Sequence, residues 1–395
     1  MATVFQFALI FLCVAWCDGF VYITWAFIRL PRFERERVPK PDFWPRLSVI
    51  IPACNEAAHL ESAVMTLLQQ DYPDFEIILV DDRSTDATGG MVDRFAESDS
   101  RIRALHVERL PEGWLGKVHA LHCGAIKAKG EWMLFTDADV HFAPATLRHA
   151  LAYVLDKQAD HLALIPRTIQ RGLWLDVAVR AFGLLFMIAT GAAGVNQPGS
   201  KSYVGIGAFN LVKADTFRRT PGFEWLRLEP GDDVGLGMMT QQAGGVSRLA
   251  LAYKHVTVEW YPSVRAMFRG LEKNLFGPGS NYRWWLMLVQ VGVLWSLAVA
   301  PWAAVMFGVA LDSMPLLLAG AAAMTPYVLF SLCSIESRPK DTLSVFLFPL
   351  GLLLIGAMML RAGYKCLKND GIDWRGTHYP LAQLRRGQRV KFWLT

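Results

Sequence analysis

The chain has 395 residues, 53% hydrophobic and only 19% charged, with a formal net charge of +5. That apolar content excludes an ordinary soluble enzyme and points to membrane insertion, while the length leaves room for one large catalytic domain. Basic residues bracket the apolar runs and no nucleic-acid recognition motif is present, so the expected electrostatic partner is an anionic lipid surface and not nucleic acid.

Val4 to Leu30 is an apolar run long enough to cross a bilayer, interrupted by Asp18 and followed by Arg29, Arg32, Arg35, Arg37 and Lys40. No small-residue cleavage site follows, which reads as an anchor and not a signal peptide. Three more apolar blocks lie at about Trp284 to Ala310, Met314 to Cys333 and Val345 to Leu360. The chain therefore divides into an anchor (1–30), a basic linker (31–46), an α/β domain (47–258), an amphipathic interfacial segment (259–283), a transmembrane bundle (284–361) and a basic tail (362–395). The positive-inside rule puts the α/β domain in the cytoplasm, at a bacterial inner membrane. Three C-terminal crossings would then carry Arg361, Lys365, Lys368, Arg385, Arg386 and Arg389 to the opposite side, a conflict that is relieved if one block is re-entrant or interfacial. The six cysteines have no zinc-type spacing and imply no disulfide framework.

Within the polar region, strands are predicted at Leu47 to Ile51, Phe75 to Val80, Arg103 to Val107 and Trp132 to Phe135, with helical spacing at Ala57 to Gln70, Asp86 to Phe95 and Lys117 to Ala128. Strands alternating with helices predict a mainly parallel sheet, which collects ligands at the carboxyl ends of its strands. Those ends carry Asn55 and Glu56, Asp81 and Asp82, then Asp137 and Asp139. No G-x-G-x-x-G or P-loop fingerprint accompanies the first strand, which argues against a dinucleotide oxidoreductase or a P-loop NTPase.

Each motif has a plain reading and a chemical one. In Thr136-Asp137-Ala138-Asp139, alternation along an extended segment would put both carboxylates on one side, as hard oxygen ligands for Mg2+ or Mn2+; read alone it is more often an acidic turn after a buried strand. Asp81-Asp82-Arg83-Ser84-Thr85-Asp86 suits a helix cap, and equally suits hydrogen bonding to a nucleobase or ribose. Gly116 and Lys117 open a helix, where backbone N–H groups and a cation can meet phosphate oxygens; a solvated turn lysine is the alternative. Asp232 and Asp233 lie in Gly231-Asp232-Asp233-Val234-Gly235, as helix caps or with Asp233 as a general base. Gly205 to Asn210, containing Gly207 and Ala208, is small enough for a substrate to approach its backbone, or is a plain turn. Trp260, Val264, Met267, Phe268, Leu271 and Leu275 recur at helical spacing, and Leu173 to Ala193 is apolar apart from Asp176 and Arg180; both read as interfacial helices flanking an acceptor side, or equally as helices that cover the sheet and anchor the domain.

In order and spacing, Ile51-Pro52-Ala53-Cys54-Asn55-Glu56, Val80 to Asp86, Gly116-Lys117, Thr136 to Asp139 and Asp232-Asp233 resemble glycosyltransferase family 2, and the membrane layout resembles that of ceramide glucosyltransferases and bacterial carotenoid or hopanoid glycosyltransferases. The resemblance implies a GT-A fold and a nucleotide-diphosphate sugar donor, usually UDP-linked. Pro52, Ala53, Glu56, Asp81, Asp82, Lys117 and Asp137 would bind the donor, Asp139 a divalent metal, and Gly207, Ala208 and Asp232 would face the acceptor. Asp233 would be the base of an inverting single displacement onto a hydroxyl of a lipid or lipid-linked acceptor. The Q-x-x-R-W signature of processive synthases is missing after Asp233; Ser263 to Arg269 lacks the tryptophan, leaving Arg265 or Arg269 as substitute diphosphate contacts. A processive polysaccharide synthase is thus the second reading, and a non-catalytic scaffold that retains the fold is the third.

Overall fold

A computed structural model describes residues 2–333 and 339–390; residues 391–395 of the expected tail and the side chain of Cys333 lie outside the described residues. The α/β domain is built on β1 (Leu47–Ala53), α2 (Leu60–Leu68), β2 (Phe75–Asp82), α3 (Thr88–Ser98), β3 (Ile102–Val107), α4 (Gly116–Lys127) and β4 (Trp132–Phe135), which follow a first helix, α1 (Ala2–Arg29). It continues with β5 (Val140–Phe142), α5 (Thr146–Asp156), β6 (His161–Ile165), β7 (Arg167–Thr168) and α6 (Leu173–Ala189). Next come β8 (Asn210–Lys213), two short helices α7 (Ala214–Arg218) and α8 (Gly222–Trp225), then α9 (Asp232–Gln242), β9 (Ser247–Leu251) and β10 (Val256–Val258).

Every residue of β1 and β2 is buried, because helices cover both faces of the sheet, and this is why both strands read as continuous apolar runs. The main sheet has the order β3-β2-β1-β4-β8-β6-β9, with β8 antiparallel to both its neighbours and the other pairs parallel. The mainly parallel α/β class expected from the sequence is the one observed. A smaller sheet, β5-β10-β7, lies beside it.

The segment from Val264 to Ser280 breaks into α10 (Val264–Gly270), α11 (Glu272–Leu275) and α12 (Gly277–Ser280), where the apolar spacing suggested one interfacial helix. Gly270 stands at the first break, and Gly277, Pro278 and Gly279 follow the second. Three further helices, α13 (Trp284–Ala310), α14 (Met314–Cys333) and, beyond the short α15 (Pro339–Phe346), α16 (Phe348–Lys368), join α1 as helices long and apolar enough to cross a membrane. α13 and α14 pack through small residues: a side chain at Gly308 or Gly320 would strike Leu317 or the Pro301 carbonyl. α16 runs on well past residue 361, where the apolar run ends, because its last turns face the α/β domain, with Ala362 and Cys366 buried in that core.

The C-terminal residues form a hairpin, β11 (Gly371–Trp374) and β12 (Thr377–Pro380), followed by α17 (Leu381–Gly387). Arg375 and Gly376 turn the hairpin with φ of 51° and 77°, the positive values a two-residue turn of this kind requires. The tail packs back onto the catalytic domain. Glu229, fully buried, accepts hydrogen bonds from the backbone N–H of Gly231 (3.1 Å), Arg389 (2.7 Å) and Val390 (2.9 Å), and Gly387 lies against Leu228. One carboxylate thereby ties the last described residues to the loop that leads into Asp232. Glu229→Gln places an N–H donor among these amides; we expect a loss of about 1–3 kcal/mol in stability, read as a lower thermal midpoint, and faster proteolysis of the tail.

Candidate active site

The expected residues gather at the carboxyl edge of the sheet. β1 ends at Pro52 and Ala53, in register with Val80 and Asp81 of β2. The loops after these two strands are bolted together: Asn55, at φ 56°, accepts from the Thr85 backbone N–H at 2.8 Å, its own N–H donates to Ser84 Oγ at 3.0 Å, and the Glu56 N–H donates to Thr88 Oγ1 at 2.8 Å. Asp82 is gripped by Arg83 through Nε at 2.8 Å and Nη2 at 3.2 Å, and Asp81 lies 3.3 Å from His106 Nδ1. Gly116 is required where it stands, since a Cβ there would come 2.2 Å from Asp82 Oδ2.

Asp137 and Asp139 follow β4 in a turn and not in an extension of the strand, so strand alternation is not what brings them together. The turn folds around buried Ala138 and turns both acids into the crevice. Burial, Asp137 and Glu56 push the Asp139 carboxyl up to about 7. Asp137 is held by Lys117, whose Nζ lies 2.7 Å from it and 3.4 Å from Asp232; burial opposes the Lys117 charge, but Asp137, Asp232 and Asp233 outweigh it and raise its pKa. Among the described residues Asp139 has no cationic partner and no set of three side chains offers complete metal ligation. A half-buried pair of carboxylates, one already paired and the other unbalanced, fits a divalent ion that would take its other oxygens from water and a diphosphate.

Asp233, in the first turn of α9, meets the Gly205 to Asn210 loop. Its Oδ2 accepts from the Gly207 N–H at 2.9 Å and its Oδ1 from the Val234 N–H at 2.8 Å, while Asn210 Nδ2 donates to its carbonyl at 3.1 Å. A Cβ on Gly207 would lie 2.8 Å from Asp137 Oδ2 and 3.6 Å from Asp233 Oδ2, and one on Gly205 would collide with the Asp233 carbonyl. Gly207 therefore stands between the proposed metal side and the proposed base, with Ala208 buried behind it. Burial and the Asp232 charge push Asp233 up to about 6, with Lys117 pulling the other way. A carboxylate so tuned is mostly ionised at neutrality yet more basic than an ordinary aspartate, as a proton acceptor should be.

Several contributors escaped the sequence reading. Tyr261 lies against Gly270, and burial with the charges of Asp137 and Asp139 raises its pKa. From the tail, Arg375 pairs with Glu56, Thr377 Oγ1 accepts from Arg83 Nη1 at 3.3 Å, and Tyr379 Oη accepts from the Gly116 N–H at 3.3 Å. Arg265 and Arg269 are exposed on α10, and among the described residues neither is paired with a site carboxylate. His255 is structural, hydrogen-bonded to Thr146 and set edge-to-face against Phe33.

A sheet with acids at its strand ends, a bridging lysine and a carboxylate at a helix N-terminus defines a nucleotide-sugar-binding α/β domain of the GT-A type. Residues 48–219 match the family model described as Glycosyl transferase family 2. The glycosyltransferase GlyG of Streptococcus pneumoniae is 37% identical over 114 residues, 29% of this chain and 36% of that protein. The GalNAc(5)-diNAcBac-PP-undecaprenol beta-1,3-glucosyltransferase of Campylobacter jejuni is 36% identical over 95 residues, 24% of this chain and 30% of that protein. The matches thus span about a third of these curated relatives. The mannosyltransferase PcManGT from Pyrobaculum calidifontis, solved in complex with GDP-Man and Mn2+, aligns with 91% of this chain and 99% of its own at a TM-score of 0.50 and 20% identity, a likeness of fold. Residues 48–219, a little under half of the chain, thus form a glycosyltransferase family 2 domain.

If Asp233 accepts the proton, the rate should fall on the acid side with a midpoint near pH 6. Asp232→Asn removes the neighbouring negative charge and should move that midpoint to lower pH. A pH–rate profile for both proteins checks this, and an unmoved limb excludes Asp233 as the titrating group.

Proposed function

We propose that this protein transfers one sugar from a nucleoside-diphosphate sugar to a hydroxyl of a membrane lipid or lipid-linked acceptor. Glu56, Asp81 and Asp82, with Pro52 and Ala53, hold the base and ribose; Asp139 would hold a Mg2+ or Mn2+ ion, which would supply positive charge against the diphosphate. Lys117 lies where it can exchange Asp137 for a phosphate oxygen. Asp233 takes the acceptor proton as the acceptor oxygen attacks the anomeric carbon from the face opposite the diphosphate, and the bonding pair leaves on the diphosphate oxygen. The configuration inverts. Gly207, Ala208 and Asp232 border the acceptor.

The observation that carries the lipid reading is an aromatic path between the acids and the membrane-type helices. Tyr261 lies beside Asp137 and Asp139, Trp260 packs on it at 4.9 Å, and Phe182 of α6 packs on Trp260 at 4.9 Å. All of these join the apolar cluster formed with α1, α13 and α16. An amphiphile lying between those helices can present its hydroxyl to Asp233 while its chains stay in lipid. The undecaprenol-linked acceptor in the name of the Campylobacter relative is of that chemical kind.

The same arrangement supports a specific membrane topology. α14 ends beside the domain, with Phe330 edge-on to Phe27 near the end of α1. α16 begins at Phe348, which packs on Trp16 and Phe20 halfway along α1, and ends with Gly363 against Met287 and Phe276 on the domain side. With α1, α13 and α14 crossing, α15 and α16 form a re-entrant hairpin reaching about mid-bilayer and returning. Both basic clusters then lie on the cytoplasmic side, as the positive-inside rule asks. Trp25, Trp284 and Trp285, exposed at the domain ends of α1 and α13, suit the headgroup layer.

Membranes containing the protein, supplied with radiolabelled nucleotide-sugars, should pass label into organic-extractable lipid only with divalent metal. Asp233→Asn should cut transfer at least ~100-fold while sparing donor binding, and Asp139→Asn should weaken metal-dependent donor binding. Label in a growing water-soluble polymer would instead mark a polysaccharide synthase, and no transfer from any donor would mark a scaffold. A single cysteine at Thr377 should be labelled by an impermeant thiol reagent only from the cytoplasmic face; labelling from the other face refutes the re-entrant hairpin.

A further inference from the structure

Lys273 of α11 is the charged group near the crevice that the scheme above leaves without work. α11 is a firm mount: Leu271 and Phe276 on either side are fully buried, and Glu272 is ion-paired with Arg361 of α16 at 2.7 Å. From it the Lys273 ammonium reaches over the indole of Trp374 in β11, 4.0 Å from the ring centroid. Among the described residues its Nζ makes no hydrogen bond or ion pair with any carboxylate or carbonyl. Its electrostatic neighbours are Lys117, Asp232, Asp137 and Asp233, so it faces the catalytic crevice; burial and the Lys117 charge lower it to about 8.

Two ammonium groups brought toward one crevice repel each other, and the carboxylates there are largely engaged: Asp137 and Asp232 with Lys117, and Asp233 with backbone N–H groups. An anion carrying more than one negative charge relieves that repulsion, and the ligand of that class in this crevice is the donor diphosphate. The indole leaves all three N–H donors of Lys273 free to turn toward it. Trp374 is itself placed by the hairpin, whose Arg375, Thr377 and Tyr379 contact Glu56, Arg83 and Gly116 along the whole nucleotide side. We propose that Lys273, held on Trp374 by the C-terminal hairpin, binds the diphosphate of the donor and of the departing nucleoside diphosphate. This rests on the glycosyl-transfer reading. It gives the tail a place in the active site, and it supplies the cation sought after Asp233 from two segments a hundred residues apart in the chain.

The test is equilibrium binding of UDP and of GDP, each with Mn2+, to the full-length protein in lipid nanodiscs, beside the matching monophosphates. For whichever diphosphate the wild type binds, Lys273→Ala should weaken it roughly 10- to 100-fold, the range for a lost charge-assisted hydrogen bond, with much less effect on the monophosphate. Lys273→Arg should restore most of the affinity, and Trp374→Ala should fall between. Equal diphosphate binding by Lys273→Ala and wild type overturns the Lys273 assignment and leaves the transferase reading standing. So does an equal loss for mono- and diphosphate together with a lower thermal midpoint, which marks a structural lysine. A wild type that binds neither diphosphate removes both readings.

Discussion

Negative charge crowded into a partly dry crevice is the constraint on which the rest of this structure depends. Asp137, Asp139, Asp232 and Asp233 converge there with Glu56 close to Asp139, and burial pushes Asp139 and Asp233 toward neutrality. Such a cluster is costly to fold unless cations or backbone donors balance it. Lys117 bridges Asp137 and Asp232, and the N–H groups of Gly207 and Val234 hold Asp233. Among the described residues Asp139 has no ion-paired cation, and it is the residue to which the proposed scheme gives the divalent metal. The glycines at 205 and 207 follow from the same constraint, since only a bare backbone passes between these carboxylates.

The second organising feature is closure by the tail. Glu229 binds two tail amides on one side of the catalytic loop, while the β11–β12 hairpin reaches across to Glu56, Arg83 and Gly116 on the other. The N-terminal half of the sheet supplies the nucleotide side, α9 supplies the proposed base, and the last described residues of the chain hold the two in register. Displacing the tail from residue 371 onward would release contacts at both sides together, which makes it a coupling element and not a solvated appendage.

Much of the α/β core was legible because its signals are local. β4 matches its apolar run residue for residue, β1 and β2 extend theirs by only two residues each, and Asp81, Asp82, Asp137 and Asp233 stand at element ends where strand and helix periodicity stops. What was not legible depends on long-range approach. The Asp137–Asp139 turn, the three-way break of the 264–280 segment, and the docking of Thr377 and Tyr379 some 260 or more residues from their partners leave no periodic trace. A run of Arg and Lys at a chain end reads as a solvated basic tail until the buried acceptor, Glu229, is seen opposite its backbone. The isolated Lys273 was hidden for the same reason, because its Trp374 platform is remote in sequence.

Membrane geometry and catalysis meet in α16. Its first half packs on α6 through Gly351, which lies against Val177 and Ala181, and its last turns enter the domain core and lead directly into the hairpin. α6 in turn carries Phe182 toward Trp260 and the acids. In the proposed topology the helix that returns from mid-bilayer therefore forms one wall of the acceptor path and, a few residues later, presents Trp374 to Lys273. In that proposed scheme acceptor and donor sides meet through α16 and the hairpin that follows it. A lipid that displaced α6 from α16 would be felt at the hairpin, so acceptor binding and the fit of the donor diphosphate are expected to be energetically linked, without any second domain to carry the signal.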